Sequence, residues 1–248
     1  MGSPKVTIVI ASYNSGKTIG KALQSVKNQS FQDWECLVVD GASKDETVGI
    51  VEEFAKKDNR FRCVSESDRG IYDAFNKGWR NANGKWIYYL GSDDLIEREG
   101  LQLLMKEEDD SYAILSGYTR LVRLDGTERI VKPGLPKFGI HQGMVMRRDV
   151  MEQLGGFDEK YRIQADYDLM VRIINAGHDM KIVEGIVGNF VIGGTSQSIN
   201  SQWKYFLERY EIDKKYRLLD HPFIEALGTV AKKTMSLLFT RLKKWIQN

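Results

Sequence analysis

The sequence predicts an α/β fold: a wound, mostly parallel sheet with a small antiparallel part, followed by C-terminal helices. Three observations predict it. From Lys5 to Leu90 strand-like and helix-like segments alternate, the order that winds a parallel sheet with crossover helices. The strand-like runs are continuously apolar, as strands covered on both faces are. After Asp94 the alternation stops, and two strand-like runs flank the turn Asp125-Gly126, the signal of an antiparallel hairpin.

The elements follow in order. Lys5 to Ala11 is a β-branched run, and Ser12-Tyr13-Asn14-Ser15-Gly16 a turn; Thr18 to Asn28 carries helical spacing through Ile19, Leu23 and Val26. Trp34 to Asp40 is a second strand ending on an acid. Gly41 to Asp45 is a loop capping a helix from Glu46 to Lys57. Arg62 to Glu66 is a third, short strand; Asp68-Arg69-Gly70 turns into a helix from Ile71 to Asn81. Trp86 to Leu90 is a fourth strand, ending in Gly91-Ser92-Asp93-Asp94. Beyond it, Glu99 to Glu108 reads as a helix, Ala113 to Leu124 and Thr127 to Val131 as the hairpin, and His141 to Met146 as a strand. Helices are expected from Arg148 to Leu154 and from Asp166 to Asn175, a strand from Lys181 to Val191, and helix throughout from Gln202. Two stretches keep two readings each. Gly193-Gly194-Thr195-Ser196 is either a lid over a ligand or an ordinary loop. Residues 232–246 place Met235, Leu238, Leu242 and Trp245 on one face amid Lys and Arg, which suits an interfacial helix on anionic lipid or a helix packed on protein.

Composition narrows the function. With 248 residues, 42% hydrophobic and 28% charged, the chain is an ordinary globular protein. A net charge of +2 gives no bulk electrostatic case for a nucleic-acid partner. Cys36 and Cys63 are too few for a disulfide framework and lack metal-ligand spacing, which points to a reducing cytoplasm. No apolar run reaches bilayer length and no signal-peptide pattern opens the chain, so the expected location is cytoplasmic, at the inner membrane face if 232–246 is the lipid-binding helix of its two readings.

Polar groups follow three of the strands: Ala11-Ser12-Tyr13-Asn14, Asp40, and Ser92-Asp93-Asp94. In a wound sheet these lie along one edge, where ligands bind. Adjacent carboxylates at Asp93 and Asp94 repel each other, and a hard divalent cation on phosphate oxygens would relieve that. A helix-capping or solvated-turn role is the competing explanation for each acid.

The ordered set of motifs resembles family 2 of the inverting glycosyltransferases, with the Rossmann-like GT-A fold. It runs Val6 to Asn14; Leu37 to Thr47; Ser67-Asp68-Arg69-Gly70-Ile71-Tyr72-Asp73-Ala74-Phe75-Asn76-Lys77-Gly78; Gly91-Ser92-Asp93-Asp94; Gly155-Gly156-Phe157-Asp158; and Ala165-Asp166-Tyr167-Asp168-Leu169. The resemblance implies a catalytic domain over 4–200, with a nucleotide half (4–95) and an acceptor half (96–200), and a basic helical extension over 201–248. It implies sugar transfer from a nucleotide-diphosphate sugar, a UDP-sugar first, to a glycan or polyprenyl-linked hydroxyl in surface polysaccharide biosynthesis. Ala11, Tyr13, Asn14 and Asp40 would hold base and ribose, with Ser92 against the nucleotide. Arg69, Asp73, Asn76 and Lys77 would lie on the donor side. Asp93 would bind Mg²⁺ or Mn²⁺ on the diphosphate, with His141 a further ligand or phosphate contact, and Asp166 would be the general base. Three positions depart from the family pattern. Gly91 replaces the first acid of the Asp-x-Asp signature, Gly41 stands where many members carry a base-reading acid, and Ala165 stands where Glu is frequent.

The chemistry fits these residue types. Displacement at an anomeric carbon passes through an oxocarbenium-like state, a cation stabilises the departing diphosphate, and a carboxylate can take the acceptor's proton. Two other classes compete. A non-catalytic glycan or nucleotide binder on this fold would explain Gly91 but not the retained Asp93 and Asp166. A nucleotidyltransferase would carry a Gly-rich phosphate loop after the first strand, where this chain has Ala11-Ser12-Tyr13-Asn14.

Overall fold

The computed structural model describes residues 2–123, 125–135, 138–192 and 199–218. The Gly193-Gly194-Thr195-Ser196 stretch and the basic segment 232–246 lie outside the described residues. The apolar runs form the parallel strands β1 (Val6–Ser12), β2 (Trp34–Asp40), β3 (Phe61–Ser65) and β4 (Trp86–Gly91). Between them lie the helices α1 (Ile19–Lys27), α2 (Thr47–Lys57) and α3 (Ile71–Arg80). After β4 come β5 (Leu95–Ile96), α4 (Gly100–Lys106), β6 (Tyr112–Arg123), β7 (Glu128–Val131), β8 (Met144–Arg147), α5 (Arg148–Leu154), α6 (Ala165–Asn175), β9 (Asp179–Ile192) and α7 (Ile199–Tyr216).

One sheet, ordered β3-β2-β1-β4-β8-β6-β9-β5 with β7 on β6, runs through both expected halves. β1 pairs in parallel with β2 and β4, and β8 joins β4 to β6 by antiparallel pairing. The expected hairpin forms between β6 and β7, while β9 lies parallel to β6. Alternation along each strand feeds two cores. Val9, Leu37, Val39, Ile87 and Tyr89 face the side covered by α3 and α6. Ile8, Ile10, Cys36, Val38, Tyr88 and Leu90 face the side of α1, α2 and α4. Burial on both sides is why these strands read as unbroken apolar runs. α3 lies so close to β1 that a Cβ at Gly78 would stand 2.2 Å from Val9 Cγ1.

The chain order reverses direction across the sheet between β1 and β4, and register brings the strand ends level: Ser12 opposite Asp40, Ala11 opposite Gly91. That aligned carboxyl edge is the crevice where ligands of wound sheets bind.

One expectation is corrected. His141 to Gly143 is a 3-10 turn rather than strand, and β8 starts only at Met144. The Gly143 amide bonds to Ile140 O, and Tyr88 Oη donates to Gln142 O, which turns the backbone out of ladder geometry. Two-residue β5 carries too little pattern to be read. α7 runs across positions 200 and 201, and its Glu208 and Asp213 accept hydrogen bonds from Arg162 N and Tyr167 Oη.

Candidate active site

The edge begins with the loops after β1 and β2, laced into one platform. Asn14, at φ 47°, takes a left-handed turn that Asn tolerates. Its amide donates to Ser43 Oγ (2.8 Å) and its Oδ1 accepts from Lys44 N (2.9 Å). Ser15 N donates to Thr47 Oγ1, and Gly16 N to Asp45 Oδ2. Tyr13 stands on this platform with its ring 64% exposed. Asp40, expected to touch the nucleotide, is fully buried instead. Its carboxylate accepts from Ser12 Oγ, Ser43 N, Ser43 Oγ and Ser65 Oγ. Burial raises this carboxyl, but those hydrogen bonds outweigh it, and the pKa lies below the usual range. Asp40 is the brace of the loop that follows it.

Next comes the loop before α3. Arg69 N and Nη2 both donate to Asp73, and Arg69 also pairs with Glu159 at 2.7 Å. Lys77 Nζ reaches Ser67 O, Glu66 and, at 3.6 Å, Asp73. Arg69 is exposed to a cavity of about 340 Å³, lined also by Tyr72, Glu159, Tyr161, Arg162 and Lys204. Asn76, expected on the donor side, is buried and turned away. Its Nδ2 donates to Phe157 O and Glu159 Oε1, while its Oδ1 accepts from Phe157 N and Trp79 Nε1. It ties α3 to the Gly155-Gly156-Phe157 loop. There Gly156 sits at φ 72°, and a Cβ would stand 2.4 Å from Trp79 Nε1, so only glycine fits.

After β4, Ser92 Oγ meets Ser15 Oγ at 2.8 Å, joining this loop to the platform. Asp94 is buried, accepting from Gln142 Nε2 (2.8 Å) and Val191 N (3.0 Å). Burial, aided by the adjacent Asp93 charge, pushes its pKa up to about 6. Asp93 points outward, exposed, with no hydrogen bond among the described residues. A Cβ on Gly91 would stand 2.5 Å from Asp94 Oδ2. Asp94 thus fills the space that an acid at position 91 would need.

The turn at His141-Gln142 links the two acidic centres. Gln142 holds Asp94, while His141 Nδ1 lies 3.0 Å from Asp166 Oδ2. Asp166, in the first turn of α6, also accepts from Tyr167 N (2.9 Å) and Tyr72 Oη (3.2 Å) on Oδ1. Burial raises the Asp166 carboxyl; the His141 hydrogen bond and charge, then the other two donors, more than offset it. The group is therefore ionised at neutral pH, and Oδ2 keeps a lone pair for an incoming proton. Tyr72, whose phenol burial drives far above its ordinary pKa, stays a donor. From α7, Glu208 accepts from the successive amides of Arg162, Ile163 and Gln164, fixing the approach to Asp166. Asp168 forms a buried pair with Arg172, whose guanidinium donates to Leu154 O and Gly156 O.

Tyr72, Gln142 and Glu208 are site residues that sequence reasoning missed. Tyr72 and Gln142 sit inside motifs without chemical signatures of their own, and Glu208 lies on a helix with nothing local to mark its partners.

The acids fit a cation that arrives with a ligand. Among the described residues no three His, Cys, Asp or Glu side chains gather into a ready metal cluster. Asp93 offers unengaged hard oxygens, as Mg²⁺ or Mn²⁺ sites do when phosphates and water complete the shell. With Nδ1 held by Asp166, His141 has Nε2 left as a further ligand atom.

Comparison with known proteins gives the family and the fold. The sequence profile described as glycosyl transferase family 2 matches residues 7–162. A PGL/p-HBAD biosynthesis glycosyltransferase of Mycobacterium tuberculosis is 29% identical over 219 residues, covering 84% of this chain and 85% of that one. The succinoglycan biosynthesis protein ExoO of Rhizobium meliloti is 28% identical, covering 97% and 78%. Among solved structures, S. aureus TarS 1-349 in complex with UDP-GlcNAc superposes with a TM-score of 0.67 at 17% identity, covering 94% of this chain and 73% of that one. The mannosyltransferase PcManGT of Pyrobaculum calidifontis, in complex with GDP-Man and Mn²⁺, gives 0.66 at 18%, covering 94% and 74%. The wound sheet is that of the GT-A glycosyltransferases, and the chain belongs to glycosyl transferase family 2, whose members similar to it serve polysaccharide and glycolipid biosynthesis.

Proposed function

We propose that this glycosyltransferase moves a sugar from a UDP-sugar to a hydroxyl of a glycan or polyprenyl-linked acceptor, with inversion at the anomeric carbon. The observation that carries the reading is the setting of Asp166: ionised, oriented by His141, Tyr72 and the Tyr167 amide, with one oxygen able to take a proton. Direct attack by an acceptor hydroxyl that gives its proton to Asp166 Oδ2 yields one inversion, and the site contains no second nucleophile in a comparable setting among the described residues.

The nucleotide lies on the Tyr13 platform, with Ser92 against it. Arg69 and Lys77 bring positive charge to the donor side, restrained by Asp73. Asp93, with His141 Nε2, would hold Mg²⁺ or Mn²⁺, which when bound supplies Lewis-acid stabilisation to the departing diphosphate. Among the described residues no helix is long and apolar enough to cross a membrane. In this reading a lipid-linked acceptor is met at the cytoplasmic membrane face through residues 232–246.

The test is Asp166→Asn in a transfer assay with UDP-sugars. Turnover is expected to fall by about 10²–10⁴-fold, the range of a lost general base, while UDP affinity measured by calorimetry stays within about twofold. Near-normal turnover, or a product with retained anomeric configuration by NMR, would overturn the reading.

A further inference from the structure

Gly41 follows the buried brace Asp40 on the nucleotide platform. A Cβ built on it would lie 2.6 Å from Asp68 Oδ2 and 3.2 Å from Tyr13 Cδ2. The Asp68 carboxylate, carried in by the loop between β3 and α3, therefore occupies the space into which a side chain at position 41 would project. It does so beside the exposed Tyr13 ring. Its Oδ1 is fixed by the Gly70 amide at 2.9 Å, while Oδ2 has no hydrogen bond among the described residues. Three other acids of these loops are engaged. Asp40 is saturated by serines and an amide, Asp45 accepts from Gly16 N, Thr47 N and Thr47 Oγ1, and Glu66 pairs with Lys77.

A flat, exposed aromatic face next to a fixed carboxylate oxygen with spare acceptor capacity recognises a planar heterocycle that carries a ring N–H on its edge. Uracil has that N–H at N3. Cytosine presents a lone pair there, which the carboxylate would repel. Resting on the donor reading above, we infer that Asp68 is the residue that reads the base, accepting the N3–H of a uracil stacked on Tyr13, and that Gly41 is glycine because Asp68 needs its space.

Calorimetry on the full chain with Mn²⁺ present, using UDP and CDP as probes, tests this. The natural chain is expected to bind UDP at least about tenfold tighter than CDP, the worth of one hydrogen bond to a charged group. In Asp68→Asn the amide oxygen keeps the Gly70 bond, so the amide NH₂ replaces the free oxygen and faces the base. That donor suits cytosine N3 and opposes uracil N3–H, so the UDP-to-CDP preference should shift toward CDP by about tenfold or more, with the melting temperature unchanged. Gly41→Asp combined with Asp68→Ala returns a carboxylate to the vacated space and should restore the preference for UDP. An Asp68→Asn chain that keeps the full natural preference would overturn the inference while leaving the donor reading intact. A natural chain that binds neither nucleotide would overturn the donor reading, and this inference with it.

Discussion

Asp40 ends β2 and Asp94 follows β4, the two strands that flank β1 in the sheet, and both are buried, at 0% and 1% exposure. Their carboxyls nevertheless shift in opposite directions, Asp40 below its ordinary value and Asp94 up to about 6. Burial pushes both upward. Asp40 receives hydrogen bonds from three serine hydroxyls and an amide; Asp94 receives two, and has the Asp93 charge beside it. At Asp40 the donors outweigh burial; at Asp94 burial and the neighbouring charge outweigh the donors. The loop after β2 is thus a closed unit built around its acid. The loop after β4 divides its two acids between an inner brace, Asp94, and an outer carboxylate, Asp93, left free for a ligand.

That division can be broken from the outside in. Asp93→Asn should cost the most activity, about 10²–10³-fold in turnover if a bound cation depends on it, with little change in melting temperature because no hydrogen bond is lost. Turnover above a tenth of normal would deny Asp93 its role. Asp40→Asn should act on stability instead, since four donors lose a charged acceptor. A loss of about 3 kcal/mol in a urea titration is expected, and an unchanged midpoint would contradict the brace.

The smallest effect is on pH dependence. The folded-state pKa of Asp94 lies above its unfolded value, so the folded chain holds the extra proton between about pH 4 and 6. The stability this contributes is complete below about pH 4 and is lost as pH rises through about 6. In chelator, so that no cation sits by Asp93, the natural chain should lose about 2 kcal/mol relative to Asp94→Asn between pH 4 and 7. A flat difference across that range would show that Asp94 is ionised throughout.

The same contrast explains what the sequence made legible. β1 to β4 and their helices could be read because strands buried on both faces are unbroken apolar runs and each crossover helix has its own periodicity. Asp166 and Asp93 could be located from motif order. Whether an acid points into a ligand crevice or into the protein could not be read, because only Ser43 among the donors is local: Ser12 and Ser65 also hold Asp40, and Gln142 and Val191 hold Asp94, from far along the chain. Asn76 was misread for the same reason, its partners lying about 80 residues on in the Phe157 loop. The turn at His141 hid because a Tyr88 hydroxyl from another strand captures its backbone.

Glu208 gives the site a schedule. Its carboxylate closes the three amides that precede α6, yet it is made more than forty residues after them. During synthesis from the N-terminus, the platform around Tyr13 and Asp40 has all its partners once the first hundred or so residues have emerged. The amides of Arg162, Ile163 and Gln164 must wait in water until α7 arrives. A growing chain can therefore complete the Tyr13 platform well before the backbone leading into Asp166 has its last partner.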